Sequence, residues 1–164
     1  MSAAPPREPL VLVVDDDAGS RKAMALTLAT DGRRVEEFGD ADAALSRAID
    51  DPSVGLVVTD LKMPGKTGIE LATDLAAARP DVSVLLVTAF GDVDTLLKAK
   101  DLGTVDYVAK PVARDDLRLR ASAALGRARQ AGEIRQLRER LDKRYGFEAI
   151  VGVSQAMERV FDVL

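Results

Sequence analysis

Five short apolar runs recur along the chain, and segments with helical periodicity separate them. The runs are LVLVV at 10–14, RRVEEF (the weakest) at 33–38, VGLVV at 54–58, VSVLLV at 82–87 and VDYVA at 105–109. Their length is that of buried strands, whereas apolar residues in segments such as 41–49 recur at helical spacing. Strands that alternate with helices predict a parallel sheet covered on both faces, and right-handed crossovers make that sheet doubly wound.

The composition narrows the chemistry that the chain can carry. Its 164 residues, of which 47% are hydrophobic, suffice for one domain with a real core and an appendage. The sequence has no cysteine, which excludes disulfides and thiolate chemistry, and no histidine, which excludes histidine triads, histidine metal sites and phosphohistidine. A net charge of −4 without a strongly basic stretch argues against nucleic-acid binding by this chain.

The first eight residues, MSAAPPRE, are small, polar and proline-rich, and they predict a disordered tail over 1–8. They lack the basic start and the long apolar core of a signal peptide. No apolar run approaches the roughly 20 residues that a membrane span needs. We therefore expect a cytoplasmic protein without a membrane partner.

Polar side chains stand where four of the predicted strands end. They are Asp15, Asp16 and Asp17 after strand 1, Asp60 after strand 3, Thr88 after strand 4 and Lys110 after strand 5. Any one of them alone is more often a loop or cap residue than a functional one. Together they occupy the carboxyl ends of parallel strands, where doubly wound sheets bind their ligands. The sequence therefore predicts a site made of carboxylates, a hydroxyl and an ammonium group.

Four motifs carry a resemblance to a known family. VVDDD, VVTDLKMPGKTG, LLVTAFGD and DYVAKP, in this order and at this spacing, resemble the receiver domain of bacterial two-component response regulators. The resemblance covers residues 9–122. It implies an α/β fold with a flavodoxin-like, doubly wound, five-stranded parallel sheet in the order 2-1-3-4-5, followed here by an extended C-terminal helix.

The resemblance implies a phosphoacceptor site that needs Mg²⁺. Asp60 matches the phosphorylated aspartate of the family, and its phosphodonor is a phosphohistidine on a sensor histidine kinase. Asp15 and Asp16 match the acidic pair that holds Mg²⁺ together with Asp60 and the backbone carbonyl of Lys62. A divalent cation there offsets the mutual repulsion of the carboxylates. Asp15 is expected to act through a water, and Asp17 is interpreted as a helix N-cap.

Further residues complete the implied site. Lys110 supplies a second cation to the transferred phosphoryl group, and Thr88 turns its hydroxyl toward a phosphoryl oxygen. Thr88 and Tyr107 match the switch pair of the family, although by spacing alone Tyr107 is an ordinary strand aromatic. The peptide bond between Lys110 and Pro111 is expected to be cis. Phosphorylation would then remodel the surface of helix 4, strand 5 and helix 5 and offer it for homodimer formation.

The last predicted helix continues beyond the receiver region. Residues 113–145 are predicted as helix 5 continuing into a coiled-coil linker, because they lack proline and are rich in helix-forming residues. Apolar side chains, among them Leu117, Ile134, Leu137 and Leu141, follow a nearly heptad spacing with one slip. The pattern predicts a homodimer paired through this helix, and a solitary charged helix is the alternative.

Residues 146–164, GFEAIVGVSQAMERVFDVL, resemble the first residues of the AAA+ domain of NtrC/DctD-like sigma-54 activators. The chain has no G-x-x-x-x-G-K-[ST] motif, so it cannot hydrolyse ATP by that route. The resemblance implies the regulatory part of a longer protein that binds ATP, sigma-54 RNA polymerase and DNA through parts absent here. The expected role is a phosphoacceptor switch and not a turnover enzyme.

Two other interpretations of the sequence stay open. In one, Asp15-x-Asp17 is the D-x-D motif of a Mg²⁺-dependent aspartate-nucleophile phosphohydrolase, with Asp15 as nucleophile and Thr59 or Thr88 and Lys110 as later parts. Against it, no later acidic pair closes the metal site. In the other, the chain is a dimerisation scaffold that works without phosphorylation. Phosphate labelling distinguishes the first interpretation, and the response to beryllofluoride distinguishes the second.

Overall fold

The structure is a computed structural model that describes residues 8–89, 105–127, 130, 133–134 and 137–141. The chain divides into two compact units, residues 1–129 and residues 130–164. The described residues of the second unit are all helical. Residues 1–7 of the tail predicted over 1–8, residues 90–104 with the predicted helix 4, and the AAA+-like residues 146–164 lie outside the described part of the chain.

The first unit contains a five-stranded parallel sheet in the order β2-β1-β3-β4-β5. The strands are β1 (Leu10–Val14), β2 (Arg34–Phe38), β3 (Val54–Asp60), β4 (Ser83–Thr88) and β5 (Val105–Ala109). The helices between them are α1 (Ala18–Ala29), α2 (Ala41–Asp50) and α3 (Gly68–Ala78). Residues 114–127 form a further helix, called the C-terminal helix below. The predicted flavodoxin-like sheet in the order 2-1-3-4-5 is confirmed.

The central strand β1 sends alternate side chains into two separate cores. Leu10, Leu12 and Val14 join the core that α2 and α3 cover, whereas Val11 and Val13 join the core that α1 and the C-terminal helix cover. Each buried Val or Leu side chain contributes roughly 1.5–3 kcal/mol relative to an exposed one. Burial on both faces explains why LVLVV is apolar without alternation. The strand ends at Val14, and the three aspartates follow it directly.

Each of the helices α1, α2 and α3 begins at a side chain that accepts a hydrogen bond from a backbone N–H of the first turn. The capping residues are Asp17, Asp40 and Thr67. A cap of this kind stabilises a helix by about 1 kcal/mol, because the first-turn N–H groups have no partner within the helix. The interpretation of Asp17 as an N-cap is therefore confirmed.

The C-terminal helix corrects part of the predicted dimer seam. Leu117 is only 1% exposed, and it packs with Ala121 and Ala124 in the core that also contains α1. A helix on a sheet buries residues at the same three- and four-residue steps as a coiled coil, so the sequence pattern did not distinguish the two. Leu117 is therefore a core residue of the first unit and not a dimer contact. The seam residues of the second unit stay a prediction.

Candidate functional site

Three carboxylates converge at the carboxyl edge of the sheet. One oxygen each of Asp15, Asp16 and Asp60 lies within 4.8 Å of the others. Asp15 directly follows β1, Asp60 ends β3, and the two strands are hydrogen-bonded neighbours, so the topology itself brings these residues together. Asp15 is 1% exposed and Asp60 8% exposed. Like charges this close in a half-buried place repel one another, and a cation is needed to offset the repulsion.

The two carboxylate oxygens of Asp15 have different surroundings. Its Oδ1 accepts a hydrogen bond of 2.9 Å from the backbone N–H of Asp17. Its Oδ2 is buried and has no hydrogen-bond partner among the residues that the structure describes. Burial raises the pKa of the Asp15 carboxyl above its ordinary value, and the charges of Asp60 and Asp16 add to the effect against the lowering by the Asp17 N–H.

Lys110 brings a cation to the same edge. Its Nζ lies 3.2 Å from Oδ1 of Asp60, and its backbone N–H donates to the carbonyl of Thr88 at 2.8 Å. The peptide bond between Lys110 and Pro111 is cis, as the resemblance implies. The lysine side chain is about 39% exposed, so its ammonium group borders the open side of the site.

Thr88 and Tyr107 lie on the neighbouring strands β4 and β5. Thr88 ends β4, is buried, and its Oγ1 donates to the carbonyl of Ala89 at 3.1 Å. Tyr107 pairs in register with Leu86, two residues before Thr88, and is 46% exposed on the edge strand. The structure thus brings Thr88 to the sheet edge that carries Asp60, while the Tyr107 ring lies at the surface with the guanidinium of Arg120 5.6 Å from its centroid.

The loop after Asp60 is closed by a glycine that sequence analysis did not select. A Cβ at Gly68 would lie 2.3 Å from the carbonyl oxygen of Asp60, which no side chain permits. The N–H of Gly68 donates to the carbonyl of Leu61 at 3.0 Å, and the Leu61 N–H donates to Val87 at 3.0 Å. The start of α3 therefore packs directly on the backbone of Asp60. Lys62 lies exposed within this loop, two residues after Asp60.

Arg21 is a second residue that sequence analysis missed. Its Nη1 donates a hydrogen bond of 2.9 Å to the backbone carbonyl of Asp15, and its Nε lies 3.5 Å from the Glu37 carboxylate. The signal was present as a basic residue four positions after the acidic triplet, one turn into α1.

The donor set fits a hard divalent cation. Mg²⁺ prefers carboxylate, carbonyl and water oxygens, and Asp15, Asp16 and Asp60 supply carboxylates at one point. The Oδ2 of Asp15, which is buried and has no partner among the described residues, is an oxygen that a cation or its water would satisfy. Beside this cluster, the ammonium of Lys110 is placed to attract an anionic group bound at Asp60.

Comparison with known proteins identifies the family. The family model of the response regulator receiver domain matches residues 11–122. The chain belongs to this family. This match favours the receiver among the three interpretations of the sequence, and the comparisons give no support to the phosphohydrolase.

Individual relatives agree with this assignment. The C4-dicarboxylate transport transcriptional regulatory protein DctD of Rhizobium meliloti is 36% identical over 164 residues, which are 100% of this chain and 35% of that protein. The transcriptional regulatory protein FixJ of Azorhizobium caulinodans is 34% identical over 156 residues, covering 94% of this chain and 70% of that protein. The resemblance to the DctD-like class is confirmed, and the receiver chain spans about a third of the length of DctD.

Solved structures show the same fold. The receiver domain of NtrX from Brucella abortus superposes with a TM-score of 0.65 at 32% identity, covering 71% of this chain and 98% of that domain. A response regulator receiver protein from Pseudomonas putida gives a TM-score of 0.63 at 34% identity, covering 71% and 94%. Among the described residues of this receiver, no helix is both long and apolar enough to cross a membrane.

Proposed function

We propose that this receiver accepts a phosphoryl group on Asp60 from the phosphohistidine of a sensor histidine kinase. The observation that carries the proposal is the position of the Asp60 carboxylate. It lies in reach of the Asp15 and Asp16 carboxylates and 3.2 Å from the Lys110 ammonium. An aspartate that is flanked by a cation-binding cluster on one side and a lysine on the other is suited to receive an anionic group.

The chemistry is an in-line displacement at phosphorus. A carboxylate oxygen of Asp60 forms the new O–P bond while the N–P bond to the donor histidine breaks, and the electron pair of that bond stays on the histidine nitrogen. Asp15, Asp16, Asp60 and the carbonyl of Lys62 would hold Mg²⁺, which neutralises charge on the phosphoryl oxygens when bound. Lys110 and Thr88 contact the remaining oxygens. Catalysis by the chain consists of this positioning and of charge stabilisation.

The product is an acyl phosphate that adds charge and acceptor oxygens to the sheet edge. Thr88 would turn its hydroxyl from Ala89 toward a phosphoryl oxygen, and Tyr107 would move into the space that Thr88 leaves. Tyr107 lies on the edge strand β5, so its movement changes the surface on which two copies can pair. A conformational shift of this kind needs only a few kcal/mol of differential stability.

The longer protein is proposed to be a sigma-54-dependent transcriptional regulator. The match to DctD extends over the whole chain yet covers 35% of DctD, which supports an ATPase and a DNA-binding region beyond this chain. Ile134, Leu137 and Leu141 are 53%, 57% and 53% exposed, which supports a helical linker that pairs two copies. Phosphorylation would rearrange this dimer and relieve inhibition of the ATPase.

The phosphoacceptor proposal is tested by labelling. The protein is incubated with Mg²⁺ and either acetyl phosphate or a phosphorylated histidine kinase, and the label is located by mass spectrometry. We expect one phosphoryl group on Asp60 and none on the Asp60→Asn variant. Asp17→Asn is the matched control, because Asn also caps α1 and should leave labelling intact. A label on Asp15, or full labelling of Asp60→Asn, would contradict the proposal.

The dimer proposal is tested by solution mass. Leu137→Asp combined with Leu141→Asp should give a monomer in the unphosphorylated state, because two charges would enter the apolar seam. Leu26→Asp makes the same chemical change at an exposed leucine of α1 and should leave the dimer intact. Beryllofluoride with Mg²⁺ should then restore part of the dimer through the β5 face. A double variant that stays fully dimeric, or a dimer that does not respond to beryllofluoride, would favour the scaffold interpretation.

A further inference from the structure

Arg21 occupies the space behind the acidic cluster. It belongs to the first turns of α1, and its guanidinium reaches back to the backbone carbonyl of Asp15 at 2.9 Å. Its Nε lies 3.5 Å from Glu37 near the end of β2. A Cβ at position 39 would lie 3.4 Å from Arg21 Nη1, so the guanidinium packs close to the backbone of Gly39. The guanidinium thus joins the β1–α1 loop to the neighbouring strand β2.

The contact with Arg21 completes the restraint of Asp15. The Asp15 N–H donates to the carbonyl of Phe38 at 3.1 Å, and the Asp15 carbonyl accepts from Arg21. With the hydrogen bond from the Asp17 N–H to Oδ1, both backbone groups and one carboxylate oxygen are engaged. Only Oδ2 is left without a partner among the described residues. The residue is therefore oriented by its surroundings before any cation binds.

We propose that Arg21 is a positioning residue for the divalent-cation site. It acts through the Asp15 carbonyl, and it holds the Asp15 carboxylate in the orientation that presents Oδ2 to the cation or its water. The inference rests on the proposed Mg²⁺ site and adds to it a residue that touches neither the cation nor the phosphoryl group. Groups that orient metal ligands in this way commonly change metal affinity about 10- to 100-fold when they are removed.

The charge of Arg21 makes the proposal sharply testable. A guanidinium near a cation site repels the cation, so removal of the charge alone would tighten Mg²⁺ binding. Loss of the hydrogen bond to Asp15 would weaken binding instead, because the carboxylate would have to be ordered at the moment of binding. The two effects have opposite signs, and the positioning role requires that the loss of orientation is the larger one.

The experiment measures the Mg²⁺ dissociation constant by titration calorimetry on the intact chain. Arg21→Gln should weaken Mg²⁺ binding about 10-fold despite the lost positive charge. Arg21→Lys keeps the charge and can donate one hydrogen bond from a different position, so it should recover part of the affinity. Glu37→Gln leaves the Arg21–Asp15 hydrogen bond in place and should change the affinity less than about 3-fold.

A second control separates positioning from general destabilisation. Leu28→Ala removes a fully buried side chain of the same helix and should lower the free energy of unfolding without touching Asp15. We expect it to bind Mg²⁺ normally at a temperature where it is folded. Unchanged or tighter binding by Arg21→Gln would overturn the inference, as would equal weakening in Leu28→Ala. Failure of the parent protein to bind Mg²⁺ would overturn the proposed site itself and this inference with it.

Discussion

Charged side chains have opposite surroundings at the two ends of the parallel strands. At the carboxyl ends, three aspartates converge and one buried oxygen of Asp15 lacks a hydrogen-bond partner among the described residues. At the amino ends, Arg79 is surrounded by acceptors. Its guanidinium donates to the backbone carbonyls of Ala48, Asp51, Pro52 and Val54 and to the carboxylate of Asp81. Arg79 ties the end of α2 and the start of β3 to the end of α3.

This domain gains stability at the amino ends of its strands and gives stability up at the carboxyl ends. A nearly buried guanidinium with carbonyl and carboxylate acceptors stabilises the fold, because its hydrogen bonds involve an ionised donor. A cluster of like charges in which one buried oxygen lacks a partner among the described residues destabilises the metal-free fold, and such clusters are typical of binding sites. In this sheet the amino ends of the strands therefore add to the stability of the fold, whereas the carboxyl ends carry the candidate functional site.

Removal of the Arg79 side chain at the amino end should cause the largest loss of stability. Arg79→Ala leaves several carbonyls and Asp81 without their cation, and we expect it to lower the free energy of unfolding by on the order of 3 kcal/mol. Urea denaturation measures this loss. Mg²⁺ affinity and phosphorylation of the folded variant should stay within about 2-fold of the parent, because the contact lies at the opposite end of the strands. Arg34→Ala, at an exposed arginine of β2, is the control and should cost far less. Weakened Mg²⁺ binding in folded Arg79→Ala would show that the two ends are coupled.

An intermediate effect concerns the carboxyl end. Saturating Mg²⁺, at about 100 times its dissociation constant, should stabilise the parent by about 2.7 kcal/mol, since it binds only the folded form. Asp16→Asn should abolish this response and should stabilise the metal-free protein by on the order of 0.5 kcal/mol, because one like charge is removed from the cluster. Thermal unfolding with and without Mg²⁺ measures both changes. Equal protection of parent and variant by Mg²⁺ would remove Asp16 from the site.

The smallest expected effect is a pair of opposite pH dependences in metal-free protein. The pKa of Asp15 is raised by burial, so its contribution to stability is fully present below its unfolded pKa and is lost as pH rises through the folded pKa. The pKa of Asp51, at the amino end, is lowered by hydrogen bonds from the hydroxyl and then the N–H of Ser53. Its contribution is present above the unfolded pKa and is lost as pH falls through the folded pKa.

Denaturation over a pH series compares these two aspartates directly. Asp15→Asn should become more stable relative to the parent as pH rises, and Asp51→Asn should become less stable relative to the parent over the same rise. Two variants with the same sign of pH dependence would contradict the contrast between the strand ends.

The sequence was sufficient to predict what depends on periodicity and strand order. Apolar runs with helical segments between them set the sheet, and parallel strands bring their carboxyl ends to one edge, so Asp15, Asp60 and Lys110 could be grouped in advance. Arg79 could not be selected, because four of its acceptors are backbone carbonyls about 25 to 31 residues earlier in the chain, which have no sequence signature. Arg21 was missed for a related reason, since it acts on the Asp15 backbone.

Leu117 shows a different limit of sequence reasoning. Its spacing with later apolar residues satisfies a heptad and a sheet-packed helix equally well. Only the position of the C-terminal helix over β1 and its neighbours decides between them, and it places Leu117 inside the first unit. Periodicity reports that one helix face is buried and does not report the partner of that face.

The contact between Gly68 and Asp60 sets a rule for how this protein can vary. Because α3 starts against the backbone of Asp60, the segment 61–67 is a closed span of fixed length, held by hydrogen bonds at Leu61 and Gly68. Its exposed members can change their side chains, as those at Lys62 and Pro64 face solvent. Insertion or deletion of a residue would instead move the start of α3 away from Asp60. We therefore expect this stretch to accept amino-acid substitutions but not a change in length.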